Sequence, residues 1–198
     1  MNKVNLENPD CKQIVCISKG NLYLSKISDN VAPIFISNNL LDISYLENLL
    51  SYDKISETVY LICKNDIYAP SLNLLKKFYD NLNLEQNSSC FLGAIFVFQN
   101  KNLIAFLNFN VTYEDCEIEY ICVSNDFKKK GVATLMLFYL DDFCKKIANN
   151  NVNKILLEVG ENNLPAIHLY KKLNFNKVSE RKKYYKNSEN ALILEKKI

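Results

Sequence analysis

Residues 117–123 have the apolar, β-branched character of a strand. The run breaks into Ser124-Asn-Asp-Phe-Lys-Lys-Lys-Gly131 and restarts at Val132 with helical spacing. A strand that feeds a helix through a short glycine-containing loop restricts the chain to α/β architectures. It also fixes a local chemistry. The first N–H groups of a helix lack intrahelical acceptors and the macrodipole is positive there, so such a terminus holds anions. Lys128, Lys129 and Lys130 flank it. The loop therefore reads as a phosphate cradle. It is neither a Walker loop nor a Rossmann turn, because G-x-x-x-x-G-K-[ST] and G-x-G-x-x-G are both absent.

The neighbouring segments fill in the fold. Residues 1–56 read as an N-terminal extension without a chemical motif. Within it, 13–18 and 22–27 predict a hairpin about Lys19-Gly20-Asn21, 32–36 is a third strand candidate, and Asp42 can cap a short helix. Residues 57–198 read as the main domain. Its first element is expected to be a strand over 58–63. Pro70 and Ser71 then open an amphipathic helix with Leu72, Leu74, Leu75, Phe78, Tyr79 and Leu82 available for its buried face. Strands over 90–98 and 103–110 are expected to pair antiparallel about Asn100-Lys101-Asn102, with 117–123 as the third. A helix over 132–149, a strand over 154–159, a helix over 164–173 and closing strands over 175–179 and 191–195 complete a mixed, mostly antiparallel α/β domain.

Bulk properties exclude several functions. At 198 residues the chain has room for one full domain and a small extension. Its net charge is +2 and Arg181 is its only arginine, which argues against nucleic acid as a partner. The seven cysteines are odd in number and form no C-x-x-C, so free thiols in a reducing cytoplasm are expected, with no disulfide framework and no metal site. The polar N-terminus does not read as a secretory signal, and the longest apolar run, 90–98, is too short to span a bilayer. A cytoplasmic protein without a membrane partner is expected.

A second constellation follows the cradle. Glu158 lies within an otherwise apolar strand run, and a carboxylate buried without a partner is costly. It either faces outward or serves as a general base. Tyr170 on the next helix is either a core aromatic or a phenolic general acid. The residues alone leave both choices open.

Together the segments Lys128-Lys-Lys-Gly131-Val-Ala133, Asn163-Leu-Pro-Ala166-Ile-His-Leu169-Tyr170 and Asn174-Phe175 resemble the [QR]-x-x-G-x-[GA] and N-x-x-A-x-x-L-Y-x-x-x-G-F motifs of the GNAT superfamily of acetyl-CoA-dependent N-acetyltransferases. The resemblance covers roughly residues 57–198. Lys128 stands where Gln or Arg is usual and Asn174 where Gly is usual. Within the superfamily the chain is most similar to the RimI-like protein N-terminal acetyltransferases. Leu157-Glu-Val resembles their catalytic strand, Arg181-Lys-Lys-Tyr184-Tyr185 their R-x-x-Y-Y, and Ser188-Glu189-Asn190-Ala191 their G-E-D-A, with Asn for Asp.

The resemblance implies a GNAT fold, with acetyl-CoA as co-substrate held where the strands over 117–123 and 154–159 splay apart. It assigns the backbone of Ile121, Cys122 and Val123 to the pantetheine arm and the thioester carbonyl. The N–H groups of Lys129, Lys130, Gly131, Val132, Ala133 and Thr134 cradle the pyrophosphate beside Lys128, and Asn163 contacts the pantetheine. Glu158 is the implied base and Tyr170 the implied acid, with Tyr184 and Tyr185 lining a peptide groove. Glu117, with Glu119 along the same strand, is a rival base at the position used by the histone acetyltransferase branch. Cys122 does not read as a nucleophile, since direct transfer is the superfamily's habit and no His flanks it. His168 reads as a surface or packing residue. The implied acceptor is a protein N-terminus, with a ribosomal protein as one candidate. The alternatives are a small-molecule amine, or a non-catalytic acetyl-CoA-binding module.

Overall fold

The computed structural model describes residues 12–18, 21–27, 34–36, 52–82, 90–99, 102–146, 152–186 and 188–198. Its strands form one mixed, mostly antiparallel sheet. They are β1 (Lys12–Ser18), β2 (Asn21–Ile27), β3 (Ile34–Ile36), β4 (Cys90–Gln99), β5 (Asn102–Thr112), β6 (Asp115–Val123), β7 (Lys154–Gly160), β8 (Asn176–Arg181) and β9 (Ala191–Lys197). The helices are α1 (Tyr52–Cys63), α2 (Leu72–Leu82), α3 (Val132–Lys146) and α4 (Leu164–Lys172). The spatial order is β3-β2-β1-β4-β5-β6-β7-β9-β8. Among the described strands only β6 and β7 pair in parallel, as the crossover through α3 requires.

The central strands alternate between two cores. Phe91, Ile95 and Val97 of β4 join Met136, Leu140 and Phe143 of α3 and Ile167 and Tyr170 of α4 on one face. Ala94, Phe96 and Phe98 join Ile55, Val59 and Cys63 of α1 and Leu75 and Tyr79 of α2 on the other. The central strands are thus buried on both sides, which explains the near-continuous apolar runs of β4 and β5. The Phe109 and Phe143 rings meet edge to face, with centroids 5.5 Å apart. Such a pair contributes about 0.5–1.5 kcal/mol beyond its buried area.

The sequence expectation fails at 58–63, which forms the C-terminal half of α1 rather than a strand. The β-branched, aromatic run Thr58-Val59-Tyr60 suits a strand locally. Burial, however, falls on Ile55, Val59 and Cys63, at a four-residue spacing, while Leu61 is exposed. Tertiary packing against β4 and β5 therefore overrides local propensity. The division at 56/57 consequently falls inside α1, and β1 pairs with β4, so the N-terminal strands belong to the same sheet. On α2 the buried residues are Leu75, Tyr79 and Leu82, while Leu74 faces solvent. The helix expected after Asp42 and residues 147–149 of the expected third helix lie outside the described residues.

The pairing of β5 with β6 contains one irregularity. Asn108 of β5 opposes Tyr120, whereas the next residue, Phe109, opposes Ile118. Glu119 is therefore an extra residue in β6, a β-bulge. The bulge reverses the alternation of the strand. Cys116 and Ile118 before it lie in the α3/α4 core, but after it Ile121 and Val123 take that face, while Tyr120 and Cys122 turn to the α1/α2 core. Asn108 is buried opposite the bulge, and its side-chain Oδ1 accepts a hydrogen bond from the Tyr79 hydroxyl at 2.9 Å.

Candidate active site

β6 and β7 pair from Asp115 to Ile118 and from Lys154 to Leu157, and no further. The register ends where the bulge begins. Beyond it, β6 continues to pair with β5 as far as Val123, and β7 continues with β9 as far as Gly160. The two strands separate into a cleft whose walls are the unpaired edges of 119–123 and 158–160. Backbone groups on such an edge need partners from elsewhere.

A cavity of ≈ 210 Å³ opens at this splay. Of the residues singled out from the sequence, it brings together Glu119, Ile121, Glu158, Asn163, Tyr170, Tyr184 and Tyr185. Glu117, Cys122, Val123 and residues 128–134 do not line it. They lie on β6 and its continuation into the loop and α3.

The N-terminus of α3, where the cradle is expected, presents main-chain groups. The Leu135 N–H closes the first turn of α3 on the Gly131 carbonyl at 3.0 Å, so the N–H groups of Val132, Ala133 and Thr134 precede the intrahelical ladder. Lys129 and Gly131 both adopt positive φ, 60° and 79°, which turns the chain out of the short 3-10 segment Asn125–Phe127 into the helix. A Cβ added at Gly131 would meet nothing within 4 Å, yet the backbone there strains any L side chain. The three lysines are exposed, and Lys130 places its ammonium 5.2 Å from the centre of the Phe127 ring.

Glu158 does not sit unpartnered in an apolar strand. Its carboxylate meets the Arg181 guanidinium, with Nε 3.1 Å from Oε1. The Tyr184 hydroxyl hydrogen-bonds to it, and this bond is the main cause that raises the tyrosine's pKa. Arg181 in turn lies over the Tyr184 ring at 5.4 Å. Glu117 is pushed above the ordinary carboxylate range, first by burial, then by the negative charges of Glu119 and Glu158, with Arg181 opposing. Glu119, the bulge residue, accepts a hydrogen bond from the Asn110 side-chain amide.

Tyr170 is fixed by the way α4 ends. Asn174 takes the left-handed conformation, φ 67°. Its N–H donates to the Lys171 carbonyl at 3.1 Å, and the Phe175 N–H donates to the Tyr170 carbonyl at 3.0 Å. These two bonds form a Schellman motif, and the Phe175 ring packs on Tyr170 with centroids 5.7 Å apart. Burial raises the Tyr170 phenol well above its usual value, so it is a neutral proton donor near pH 7. At the other end, the Asn163 side-chain oxygen caps α4, accepting from the Ala166 N–H at 3.4 Å.

Cys122 is buried, and burial first, then the Cys63 and Asp66 neighbours, push its thiol up to about 12. It is a neutral thiol near pH 7, a poor nucleophile. His168 is exposed on α4. Among the described residues no group of three or more His, Cys, Asp or Glu side chains is arranged to hold a metal ion. No helix among them is long and apolar enough to cross a membrane.

Five cavity residues escape the sequence reading: Asp66, Tyr68, Ile118, Tyr120 and Gly160. Asp66 and Tyr68 sit in the α1–α2 connection, where the Asp66 carboxylate accepts the Tyr68 N–H at 2.9 Å. The Asn65-Asp66 pair signals a turn but no chemistry. Tyr120 faces the α1/α2 side only because of the bulge, which no local pattern announces.

The chain is similar to several known proteins. Over 75 residues the chain is 41% identical to an N-alpha-acetyltransferase of Saccharolobus solfataricus, a match covering 37% of this chain and 43% of that protein. Over 99 residues it is 31% identical to the [ribosomal protein bS18]-alanine N-acetyltransferase of Escherichia coli strain K12, covering 48% of this chain and 65% of that protein. The chain thus matches less than two thirds of the length of these curated relatives. The crystal structure of the ribosomal-protein-S18-alanine N-acetyltransferase from Escherichia coli superimposes with a TM-score of 0.61 at 24% identity, over 72% of this chain and 87% of that one. The acetyltransferase (GNAT) family model matches residues 56–175, more than half of the sequence, and with the splayed β6 and β7 and the N-terminus of α3 between them, this chain belongs to that family.

Proposed function

We propose that the protein transfers an acetyl group from acetyl-CoA to a primary amine, the α-amino group of a protein N-terminus. The observation that carries this reading is the presence of Glu158 and Tyr170 in one cavity at the β6–β7 splay, with the strand β6 that borders it leading on to the N-terminus of α3. The residues fit the co-substrate. The N–H groups of Val132, Ala133 and Thr134 suit a pyrophosphate, and the unpaired edge at Ile121, Cys122 and Val123 suits an extended amide-bearing arm. Bound acetyl-CoA supplies an activated acyl carbon and a thiol leaving group.

The chain's own residues then have limited tasks. An α-amino group with a pKa of about 7.7–8.0 is on the order of one tenth neutral at pH 7, against well under a thousandth for a lysine near 10.4. Glu158 removes the remaining proton, directly or through a water. Backbone N–H groups of the 121–123 edge face the charge that develops on the carbonyl oxygen. Tyr170, protonated near pH 7, gives its proton to the leaving thiolate as the carbon–sulfur bond breaks and regains one from solvent, while Glu158 passes the amine's proton to water. Tyr184, on Arg181 and Glu158, and Tyr185 border the acceptor side.

A second acceptor class is favoured by one feature. Asp66, Glu119 and Glu158 all line the cavity, an acidic surface that also suits a small cationic amine. Both readings are tested by acetyl-CoA-dependent transfer to a panel of peptides with free N-termini, with polyamines and amino acids as controls. Transfer to at least one peptide supports the first reading. Transfer to a small amine and to no peptide would replace it with the second.

A further inference from the structure

Glu189 is 4% exposed, one of the few buried polar or charged side chains among the described residues. Burying a carboxylate is costly unless hydrogen bonds replace its hydration. Here the replacement comes from two separate segments. The Tyr68 hydroxyl lies 3.0 Å from both carboxylate oxygens, and the Asn162 N–H donates to Oε1 at 2.8 Å. The Tyr68 phenol is pushed up to about 12, first by burial and then by the bond to Glu189, so the hydroxyl keeps its proton and donates. Gly160 makes room for this contact. A Cβ there would lie 2.5 Å from both the Glu189 Oε1 and the Tyr68 hydroxyl.

Each segment is internally braced. In the α1–α2 connection the Ala69 N–H donates to the Asp66 carbonyl at 3.0 Å and the Tyr68 N–H to the Asp66 carboxylate. In the β8–β9 connection the Tyr185 N–H donates to the Glu189 carbonyl at 3.1 Å and the Lys183 N–H to Asn190 Oδ1 at 2.9 Å. Asn190 is tied in turn to Glu161 by its N–H and its side-chain amide, both at 3.1 Å. The segments meet through the Tyr68–Glu189 bond and through the Tyr68 and Tyr185 rings, 4.7 Å apart. Tyr68 and Tyr185 line the cavity, whereas Glu189 lies behind them.

We propose that Tyr68 and Glu189 form a latch that joins the α1–α2 and β8–β9 connections into one wall, and that this wall sets affinity for the acceptor. Glu189 is a positioning residue that acts through Tyr68 and Tyr185. The inference rests on the reading that the acceptor amine enters this cavity. Tyr68 is not among the residues assigned to acetyl-CoA and the pyrophosphate cradle lies on α3, so acetyl-CoA affinity is independent of the Tyr68 hydroxyl.

The test uses the full chain and a peptide that the unaltered protein acetylates. Tyr68→Phe keeps the ring and deletes the hydroxyl. It is expected to raise the acceptor KM about tenfold, the loss of one hydrogen bond to a charged group, while the acetyl-CoA Kd stays within about twofold. Glu189→Gln keeps an acceptor oxygen and is expected to fall between Tyr68→Phe and Glu189→Ala. Amide exchange in Tyr68→Phe is expected to quicken at Tyr185 and Asn190, although the substitution lies in the other segment. An unchanged acceptor KM in Tyr68→Phe, or an equal loss of acetyl-CoA affinity, overturns the latch. Should Glu189→Ala fail to fold, Tyr68→Phe carries the test. If the unaltered protein acetylates no peptide, the acceptor reading fails by itself, and the latch is judged on amide exchange, where undisturbed Tyr185 and Asn190 overturn it.

Discussion

The two banks of the cleft are made of different material. On the β6–α3 bank the useful groups are main-chain: the open edge of 119–123 and the first N–H groups of α3. On the β7–α4 bank they are side chains: Glu158 with Arg181 and Tyr184, Tyr170 under its Schellman cap, and Tyr185 against Tyr68. Main-chain sites tolerate side-chain change but not a change of backbone conformation. Side-chain sites behave the other way. A phosphate group presents the same oxygens on every co-substrate molecule and can be met by fixed N–H groups, whereas acceptor choice and proton transfer need particular functional groups.

Substitutions can break or sharpen this contrast. The largest effect is expected from Gly131→Val, which places a β-branched side chain at φ 79° in the cradle. Acetyl-CoA binding measured by calorimetry is expected to vanish, with thermal stability falling by only the roughly 1–3 kcal/mol of backbone strain. Binding at the original affinity would show that the cradle is elsewhere. On the opposite bank, Glu158→Gln and Tyr170→Phe are each expected to lower kcat at least about tenfold, or 1.4 kcal/mol of barrier, with acetyl-CoA affinity unchanged. If neither slows turnover, the assignment of base and acid is wrong.

Lys128→Ala tests the same cradle from its side-chain aspect. The residue is exposed, so its loss is expected to weaken acetyl-CoA binding about two- to threefold, and less as salt is raised. A loss as large as that of Gly131→Val would erase the difference between the banks. The smallest effect concerns Glu117. Its folded-state pKa is raised, so ionising it opposes folding, and the penalty is present above that raised value and absent once pH falls below the ordinary carboxylate range. Glu117→Gln is expected to raise Tm slightly near pH 7, because solvent around this exposed side chain screens the penalty, and by nothing near pH 3. The opposite sign would mean that Arg181 outweighs burial and the two neighbouring carboxylates.

Legibility in the sequence divides along the same line. The segments from 90 onward are readable because each carries its own period and its own stops: apolar runs, the Gly131 turn, Pro165 in a first turn, and Asn174 at φ 67°. Glu158 and Tyr170 stand out because a carboxylate in an apolar strand and a tyrosine on the following helix are locally odd. The features that cannot be read depend on contacts between distant segments. The strand expected at 58–63 is helix because α1 packs on β4 and β5. Tyr68 meets Glu189 across 121 positions of chain. Glu158 looks isolated in the sequence because Arg181 reaches it from another strand. The bulge at Glu119 leaves no local trace because it exists only in the register with β5.

The bulge also has a meaning in terms of insertions and deletions. Glu119 adds one position to β6 without adding one to β5. Every substitution at 119 keeps that count, so an exchange there alters the acidic lining of the cavity and leaves the frame of the strand as it is. Deleting residue 119 would restore a regular pleat, with Ile118 still opposite Phe109 and Tyr120 still opposite Asn108, and would remove the local kink that accompanies the parting of β6 from β7. The kink at the opening between the strands is thus encoded as a length, one residue long, and is more vulnerable to a shift in reading of the strand than to any exchange of one amino acid for another.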